Sequence, residues 1–400
     1  IQLCLGAIYA WSVFTKPLVA AGWSKSQTQA VFAAGLALFA IVMVIAGRIM
    51  PKVGPRVLAI AGGLVLGLGY LLAGIFGGDS FWPIFIFVGV VGGSGIGLAY
   101  VVPIAVGMRW FPDKKGLITG LAVAGFGFGA TLWVKLAGSW GNLIQDMGLG
   151  TTFIIYGIAF AVAVVLGGLT MVYPPEGWQP EGYKPPEVKE GEKPAAGTVD
   201  FETGEMLKTP QYFMVFFTFL FSAGAGLMSI GLMKLFPSQA LAENGLSAAE
   251  ASAVAGTAMA VFFSLANGIG RIAWGTMSDF LGRKTSIIIM CATQGILVIA
   301  FQWMAGNEYL LYLGATLIGF NFGGNFSLFP TITADTFGTK NVGKNYGWIF
   351  LAYGVGGIFG PMMGGKLGDM NNFPLAFSIA GAGCLVAAVI VALVKPAKKA

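Results

Sequence analysis

One arginine lies deep within an apolar stretch of the sequence. Arg271 belongs to the segment 248–277 and lies eight residues before Asp279, which marks the polar end of that stretch. At 1.5 Å per helical residue it lies roughly 12 Å inside a hydrocarbon layer whose half-thickness is about 15 Å. The seventeen acidic residues lie in loops or at helix ends, and the sequence has no histidine. Because arginine cannot lose its proton, the simplest predicted partner is an anion that binds and leaves. A carboxylate would explain the choice of arginine over lysine, since a guanidinium can hold it with two parallel hydrogen bonds.

Other polar side chains are predicted to reach the same depth. Tyr353 lies nine residues after Lys344, roughly 13 Å along a helix, and Asn267 lies one turn before Arg271 on the same face. Polar side chains also join neighbouring helices in membranes, so a structural role stays open for all of them, Arg271 included. The predicted substrate-binding residues are Arg271, Tyr353, Asn267, Tyr100, Asn325 and Tyr9.

The elements that position these residues are predicted to be transmembrane helices. The chain is 56% hydrophobic and 10% charged, whereas soluble proteins carry about 25% charged residues. A spanning helix needs roughly 20 apolar residues, and twelve such segments fit within 400 residues. They are 1–20, 27–50, 57–76, 81–108, 116–137, 150–173, 211–236, 248–277, 285–305, 309–334, 344–366 and 374–394. We therefore predict an all-α, polytopic membrane protein.

The distribution of positive charge predicts the orientation. If the N-terminus is cytoplasmic, seventeen of the 23 lysines and arginines lie on the cytoplasmic side. The sequence thus predicts a multi-pass protein of the inner (plasma) membrane with both termini in the cytoplasm. The basic residues lie in short loops without a folded module, so nucleic-acid binding has no support. The scattered cysteines Cys4, Cys291 and Cys384 show no metal-ligand spacing, and no cofactor or metal is predicted.

The chain repeats itself at an offset of about 227 residues. The segment GRIMPKVGPR (47–56) recurs as GTMSDFLGRK (275–284), and further glycines and prolines recur at the same offset. Between the copies, six prolines and eight acidic residues interrupt the apolar pattern, as in a solvated linker. The predicted domains are an N-terminal six-helix bundle (1–173), a cytoplasmic linker (174–208) and a C-terminal six-helix bundle (209–400). Parallel six-helix halves are known from one large class of transporters.

Three motifs resemble a known family. GTMSDFLGRK resembles the loop motif of the major facilitator superfamily, with its acid at Asp279 and its basic pair at Arg283 and Lys284. The resemblance implies a gating or structural role for these three residues. RWFPDKKGLITG (109–120) and GEMLKTPQYF (204–213) are similar to the branch of monocarboxylate transporters and oxalate/formate antiporters. The overall likeness is greatest to a prokaryotic monocarboxylate (lactate) transporter.

The resemblance also bears on the substrate. In the resembling branch an arginine at this place in the eighth helix binds the substrate carboxylate. The oxalate/formate exchanger has a second cation, a lysine, where this sequence has Tyr353. Two cations suit a dianion, whereas one cation and a phenol suit a monoanion that carries a hydroxyl or keto oxygen. Animal monocarboxylate transporters have an acid where this sequence has Asn267, so the residues offer no obvious proton carrier.

The predicted function is secondary active transport of small monocarboxylates such as L-lactate or pyruvate. By resemblance a proton accompanies the anion and the two halves expose the site alternately; the alternative is anion exchange without proton coupling. The predicted partners are the carboxylate, a co-transported proton and the lipid bilayer, and the protein is expected to act as a monomer. An enzyme or receptor would need a catalytic pair or a soluble ligand-binding module, and neither is evident in the sequence.

Overall fold

The protein folds entirely into helices in the part of the chain that the structure describes. A computed structural model describes residues 1–78, 80–137, 141–182, 199–395 and 397. Its long helices are α1 (2–20), α2 (Lys25–Val53), α3 (Pro55–Phe76), α4 (Phe81–Trp110), α5 (Lys115–Ala137), α6 (Leu143–Leu169), α7 (Pro210–Leu232), α8 (Ala248–Leu281), α9 (Arg283–Met304), α10 (Glu308–Phe337), α11 (Val342–Asp369) and α12 (Phe373–Ala392). This twelve-helix, all-α fold confirms the prediction from the sequence.

Ten helices within the described residues are long and apolar enough to cross a membrane by length and composition. The two others have identifiable reasons for falling outside that group. Helix α1 is divided into Gln2–Leu5, a 3₁₀ segment Gly6–Trp11, and Ser12–Ala20. Helix α10 is 30 residues long but carries buried asparagines, serine and threonines, which lower its apolar character.

The helices form two compact units. Unit 1 comprises Ile1–Trp110 and Gly125–Trp178, and unit 2 comprises Phe111–Ala124 and Gln179–Ala400. The first turns of α5 therefore belong to the second unit. Residues 199–208 of the predicted linker include a short helix, Thr203–Met206, and hydrogen-bond to the end of α10. Residues 183–198 of that linker lie outside the described residues.

Unit 2 is built from helices that pack in pairs: α7 with α11, α8 with α10 and α9 with α12. Glycines bring α8 and α10 into backbone contact. A Cβ at Gly270 would overlap the carbonyl of Phe320, and one at Gly323 would overlap the carbonyl of Asn267. Close helix contact of this kind is the usual way membrane helices gain packing energy.

A π-helical segment, Ala258–Phe263, interrupts α8 two turns before Arg271. The Ser264 hydroxyl donates a 3.0 Å hydrogen bond to the carbonyl of Met259, five residues earlier. A second π-helical segment, Phe85–Gly92, interrupts α4 in unit 1. Such segments are often associated with functional sites, and hydrophobic periodicity does not reveal them.

Two helix starts agree with the sequence. Thr209 caps α7 with its hydroxyl and Pro210 occupies the first turn, where its missing N–H costs nothing. Ser247 and Glu250 form a capping box at the start of α8, as the spacing of a serine and a glutamate three residues later favours.

In unit 1, the segment after α6 folds back onto the end of α4. The indole N–H of Trp178 donates to the carbonyl of Trp110 at 3.2 Å, and the two rings lie 5.1 Å apart. The indole N–H of Trp110 donates to the carbonyl of Val172 at 2.8 Å, and the Arg109 guanidinium lies 3.8 Å from the centre of the Tyr173 ring. The chain that leaves α6 is thus held on unit 1 as far as Trp178.

Candidate functional site

The Arg271 side chain is completely buried in unit 2. Its Nε donates to Oδ1 of Asn267 at 3.0 Å, and its Nη1 donates to the carbonyl oxygen of Val123 at 3.0 Å. The guanidinium carbon lies 4.0 Å from the centre of the Phe326 ring. These three partners carry no formal charge. Together they fix the orientation of the guanidinium.

Three helices meet at this arginine because small residues allow their backbones to touch. A Cβ at Gly120 of α5 would overlap the carbonyl oxygen of Arg271 and lie 2.9 Å from Cα of Ile272. On the other side, a Cβ at Gly323 of α10 would lie 3.1 Å from the backbone nitrogen of Arg271. Close approach of α5 brings the Val123 carbonyl within reach of the guanidinium.

Aromatic rings connect Arg271 to Tyr353. The Phe326 ring, which contacts Arg271, meets the Tyr353 ring edge-on at 5.4 Å. Tyr353 is fully buried and also contacts Phe350 at 4.9 Å and Phe219 at 6.4 Å. The structure therefore brings the two predicted residues of α8 and α11 to the same ring. Sequence reasoning did not single out Phe326, because one phenylalanine among 32 gives no signal.

The two asparagines of α10 have different partners. Asn325 is buried, and its side-chain nitrogen donates to the carbonyl of Phe322 in the same helix at 3.0 Å. Asn321 accepts from the Trp274 indole at 3.2 Å and donates to the Thr293 hydroxyl at 3.1 Å, which joins α8, α9 and α10. Asn321 thus has the packing role that the sequence left open for Asn325.

The two remaining predicted residues, Tyr9 and Tyr100, lie together in unit 1. Both rings contact Phe126 edge-on, at 5.2 Å and 5.4 Å. Tyr100 is fully buried, contacts Phe39 at 4.9 Å, and accepts the side-chain N–H of Gln2 at its backbone carbonyl. Unit 1 therefore presents an aromatic group at these positions.

A network of charges occupies the end of unit 2 that carries Lys115, Asp279, Arg283 and Asp335, here called the basic end. Arg283 pairs with Asp279 at 2.6 Å and with Asp335 at 3.1 Å, and Lys115 pairs with Asp335 at 3.0 Å. All four side chains are largely shielded from solvent. The motif residue Lys284 lies outside this network and donates to the carbonyl of Val394 at 2.9 Å.

Asp279 also caps the first turn of α5. Its two oxygens accept the backbone N–H groups of Gly116 and Leu117, each at 2.9 Å. A carboxylate at a helix N-terminus satisfies free N–H groups and complements the helix dipole. The motif acid thus joins the helix that supplies the Val123 carbonyl to the helix that carries Arg271.

The family follows from a comparison of the whole chain. The model of the Major Facilitator Superfamily matches residues 1–239 and again residues 223–400. The chain belongs to the major facilitator superfamily. It is a multi-pass membrane transporter by fold and family. In the described part of the chain, no group of three or more His, Cys, Asp or Glu side chains could hold a metal.

Relatives and solved structures agree with this assignment. An uncharacterized MFS-type transporter of Escherichia coli, YhjX, is 30% identical over 89% of this chain and 83% of its own length. The oxalate:formate antiporter of Oxalobacter formigenes is 27% identical over 98% and 88%. Apicoplast pyruvate carrier 1 of Toxoplasma gondii is 26% identical over 64% and 54%. The structure of the proton:xylose symporter XylE has a TM-score of 0.66 at 14% identity, covering 97% and 92% of the two chains. That likeness shows the fold alone.

Proposed function

We propose that this member of the superfamily transports small monocarboxylates such as L-lactate or pyruvate, with Arg271 as the group that binds the carboxylate. The supporting observation is a fully buried guanidinium that an amide oxygen, a peptide carbonyl and an aromatic ring hold in a fixed orientation. Placing such a charge in the middle of a membrane helix costs on the order of 2.5–3.5 kcal/mol. An anion that arrives and leaves during transport would offset this cost while it is bound.

The residues around Arg271 support a monoanion. The other cations of the sequence lie in loops or near helix ends, so a second carboxylate would find no cation at the same depth. The aromatic group of Phe326, Tyr353, Phe350 and Phe219 suits the apolar part of a small acid. The Tyr353 hydroxyl suits a hydroxyl or keto oxygen.

Alternating access is the proposed mechanism, with a proton accompanying the anion. The protein is proposed to lie in the inner (plasma) membrane with both termini in the cytoplasm. In this orientation the basic end would face the cytoplasm. The ion pairs of Arg283 and Asp335 would form and break as the basic end closes and opens. The names of two relatives, an oxalate:formate antiporter and a pyruvate carrier, are consistent with small carboxylates.

Anion exchange without proton coupling is the second candidate. It is favoured by similarity to the oxalate:formate antiporter over 98% of this chain. Uptake of labelled lactate into proteoliposomes separates the two candidates. Symport predicts uptake into empty vesicles that rises with an inward proton gradient. Exchange predicts uptake that requires internal carboxylate and ignores the gradient. A competition panel in which oxalate clearly outcompetes lactate and pyruvate would contradict the monocarboxylate proposal.

Arg271→Lys tests the carboxylate site. Lysine keeps the charge but loses the planar pair of parallel donors, so we expect uptake to fall by about a hundredfold, corresponding to roughly 3 kcal/mol. Arg56→Lys makes the same exchange at an exposed position and should leave uptake unchanged. Equal elution of both variants on size exclusion confirms folding. Full uptake by folded Arg271→Lys would assign Arg271 a purely structural role.

A further inference from the structure

The chain that enters α7 is pinned to the basic end of unit 2 by one buried ring. Phe201 is 1% exposed, and its ring meets that of Phe337 edge-on at 5.7 Å. Its backbone N–H donates to the carbonyl of Phe337 at 2.9 Å. Phe337 is the last residue of α10, so this contact fixes residues 199–206 to the end of that helix.

The same segment is tied to the first turn of α11. The carbonyl of Phe201 accepts the side-chain N–H groups of Asn341 and Asn345, each at 3.0 Å. Asn345 is fully buried, and its Oδ1 accepts the hydroxyl of Thr203 at 2.9 Å. Both polar ends of one buried amide are therefore satisfied by residues 199–206, which here are called the latch.

Charged contacts surround this anchor. Lys344 pairs with Glu202 at 2.6 Å, and the ammonium holds the pKa of that carboxyl below its usual value. Asp200 accepts the backbone N–H of Lys340 at 3.0 Å. The Glu202 side chain is 61% exposed, so the pair adds little to stability. The latch thus combines buried contacts of Phe201, Thr203 and Met206 with exposed polar contacts of Asp200 and Glu202; such short segments with few buried side chains can open locally.

The latch spans the connection between α10 and α11. That connection turns at Gly338, where φ is +87° and a Cβ would overlap the Asp200 carboxylate and lie 2.7 Å from its Cα. Because the Phe201 peptide bonds to Phe337 on one side and to Asn341 and Asn345 on the other, a change of angle between the two helix ends must break some of these contacts.

The end of α10 belongs to two networks. Asp335, which pairs with Lys115 and Arg283, lies two residues before Phe337 in the same helix. A movement that separates Asp335 from Lys115 therefore also displaces the surface on which Phe201 lies. At the other side, α11 carries Tyr353, which shares the Phe326 ring with Arg271.

We propose that residues 199–206 form a releasable latch, closed in this structure, that must open at the ends of α10 and α11 for the transport cycle to proceed. Holding the latch closed would arrest transport without preventing the substrate from binding. The experiment below depends on the proposed transport activity, because uptake is what it measures. The contacts of the latch do not depend on which substrate is carried.

A reversible cross-link tests the latch. Thr203→Cys and Asn345→Cys are combined in a background that lacks Cys4, Cys291 and Cys384, because these positions are in hydrogen-bond contact in the closed latch. Oxidation is expected to slow carboxylate uptake about tenfold, and reduction to restore it, since such closures commonly limit turnover. Each single-cysteine variant, oxidised in the same way, is the control and should keep its uptake.

Binding and labelling complete the test. Carboxylate binding to the oxidised pair, followed by tryptophan fluorescence, should match that of the reduced pair. In the Thr203→Cys single variant, maleimide labelling should accelerate when substrate is being transported, because Thr203 is only 6% exposed in the closed latch. Undiminished uptake by the fully cross-linked pair would overturn the latch. Absence of uptake and binding by the parent protein would instead overturn the proposed substrate.

Discussion

At the scale of single residues, three uncharged groups orient the guanidinium of Arg271. An amide oxygen, a peptide carbonyl and an aromatic face all stabilise a guanidinium, yet each leaves its net charge intact. The arginine is thus held in a fixed position. This arrangement is compatible with both a structural and a substrate-binding role for Arg271. A substitution at Asn267 can distinguish the two roles.

Asn267→Asp is expected to weaken carboxylate binding. The new carboxylate would lie where Oδ1 of Asn267 accepts from Arg271 at 3.0 Å, and would cancel the charge that attracts the substrate. We expect the KM for uptake to rise at least about tenfold, or roughly 1.4 kcal/mol. The variant should fold as well as the parent, because the ion pair replaces a hydrogen bond. The rise should be largest at alkaline pH, where the new carboxylate is ionised, and an unchanged KM under those conditions would mean that the Arg271 charge does not bind the substrate.

The sequence predicts Arg271 and its depth, but only some of its neighbours. Asn267 could be placed on the same face from helical spacing alone. The Val123 carbonyl could not, since any residue has a peptide carbonyl and only the packing of α5 brings this one to the arginine. Phe326 and Phe201 were missed for a similar reason, because their importance lies in what they touch.

At the scale of helices, close backbone contact between α5 and α8 positions the site. The glycine pair Gly116 and Gly275 allows this contact at the basic end, and Gly120 continues it beside Arg271. The helix frame itself follows from apolar segment length. The assignment of residues 111–124 to unit 2 does not follow from segment length, because it depends on contacts between segments that are distant in sequence.

Gly120→Ala should separate α5 from α8. Its methyl group would overlap the Arg271 carbonyl, and such overpacking typically costs about 1–3 kcal/mol. We expect a lower melting temperature in detergent and a reduced uptake rate, since the Val123 carbonyl moves away from the guanidinium. Gly256→Ala is the matched control in α8, where a Cβ meets nothing within 4 Å. Equal stability of the two variants would contradict this account of the α5–α8 contact.

At the scale of the whole molecule, the repeat of the sequence predicts a twelve-helix transporter, and the family confirms it. The repeat is imperfect at the centre. Position 43, the first-half counterpart of Arg271, is a fully buried methionine. The buried arginine thus occurs in the second copy of the repeat and has no charged counterpart at position 43. Hydrophobic periodicity cannot show this asymmetry, but comparison of the two copies does.

The anchoring of both linker ends has a consequence for how the protein can be made. Trp178 holds the outgoing chain on unit 1 and Phe201 holds the incoming chain on unit 2, so continuity between them should not be needed for either attachment. We expect two polypeptides, divided between residues 183 and 198 and produced in the same cell, to reassemble and to support uptake at a level comparable to the intact chain. The same division combined with Phe201→Ala should reduce recovery of the second fragment. Residues 199–206 at its start would then lose the buried ring that packs on Phe337.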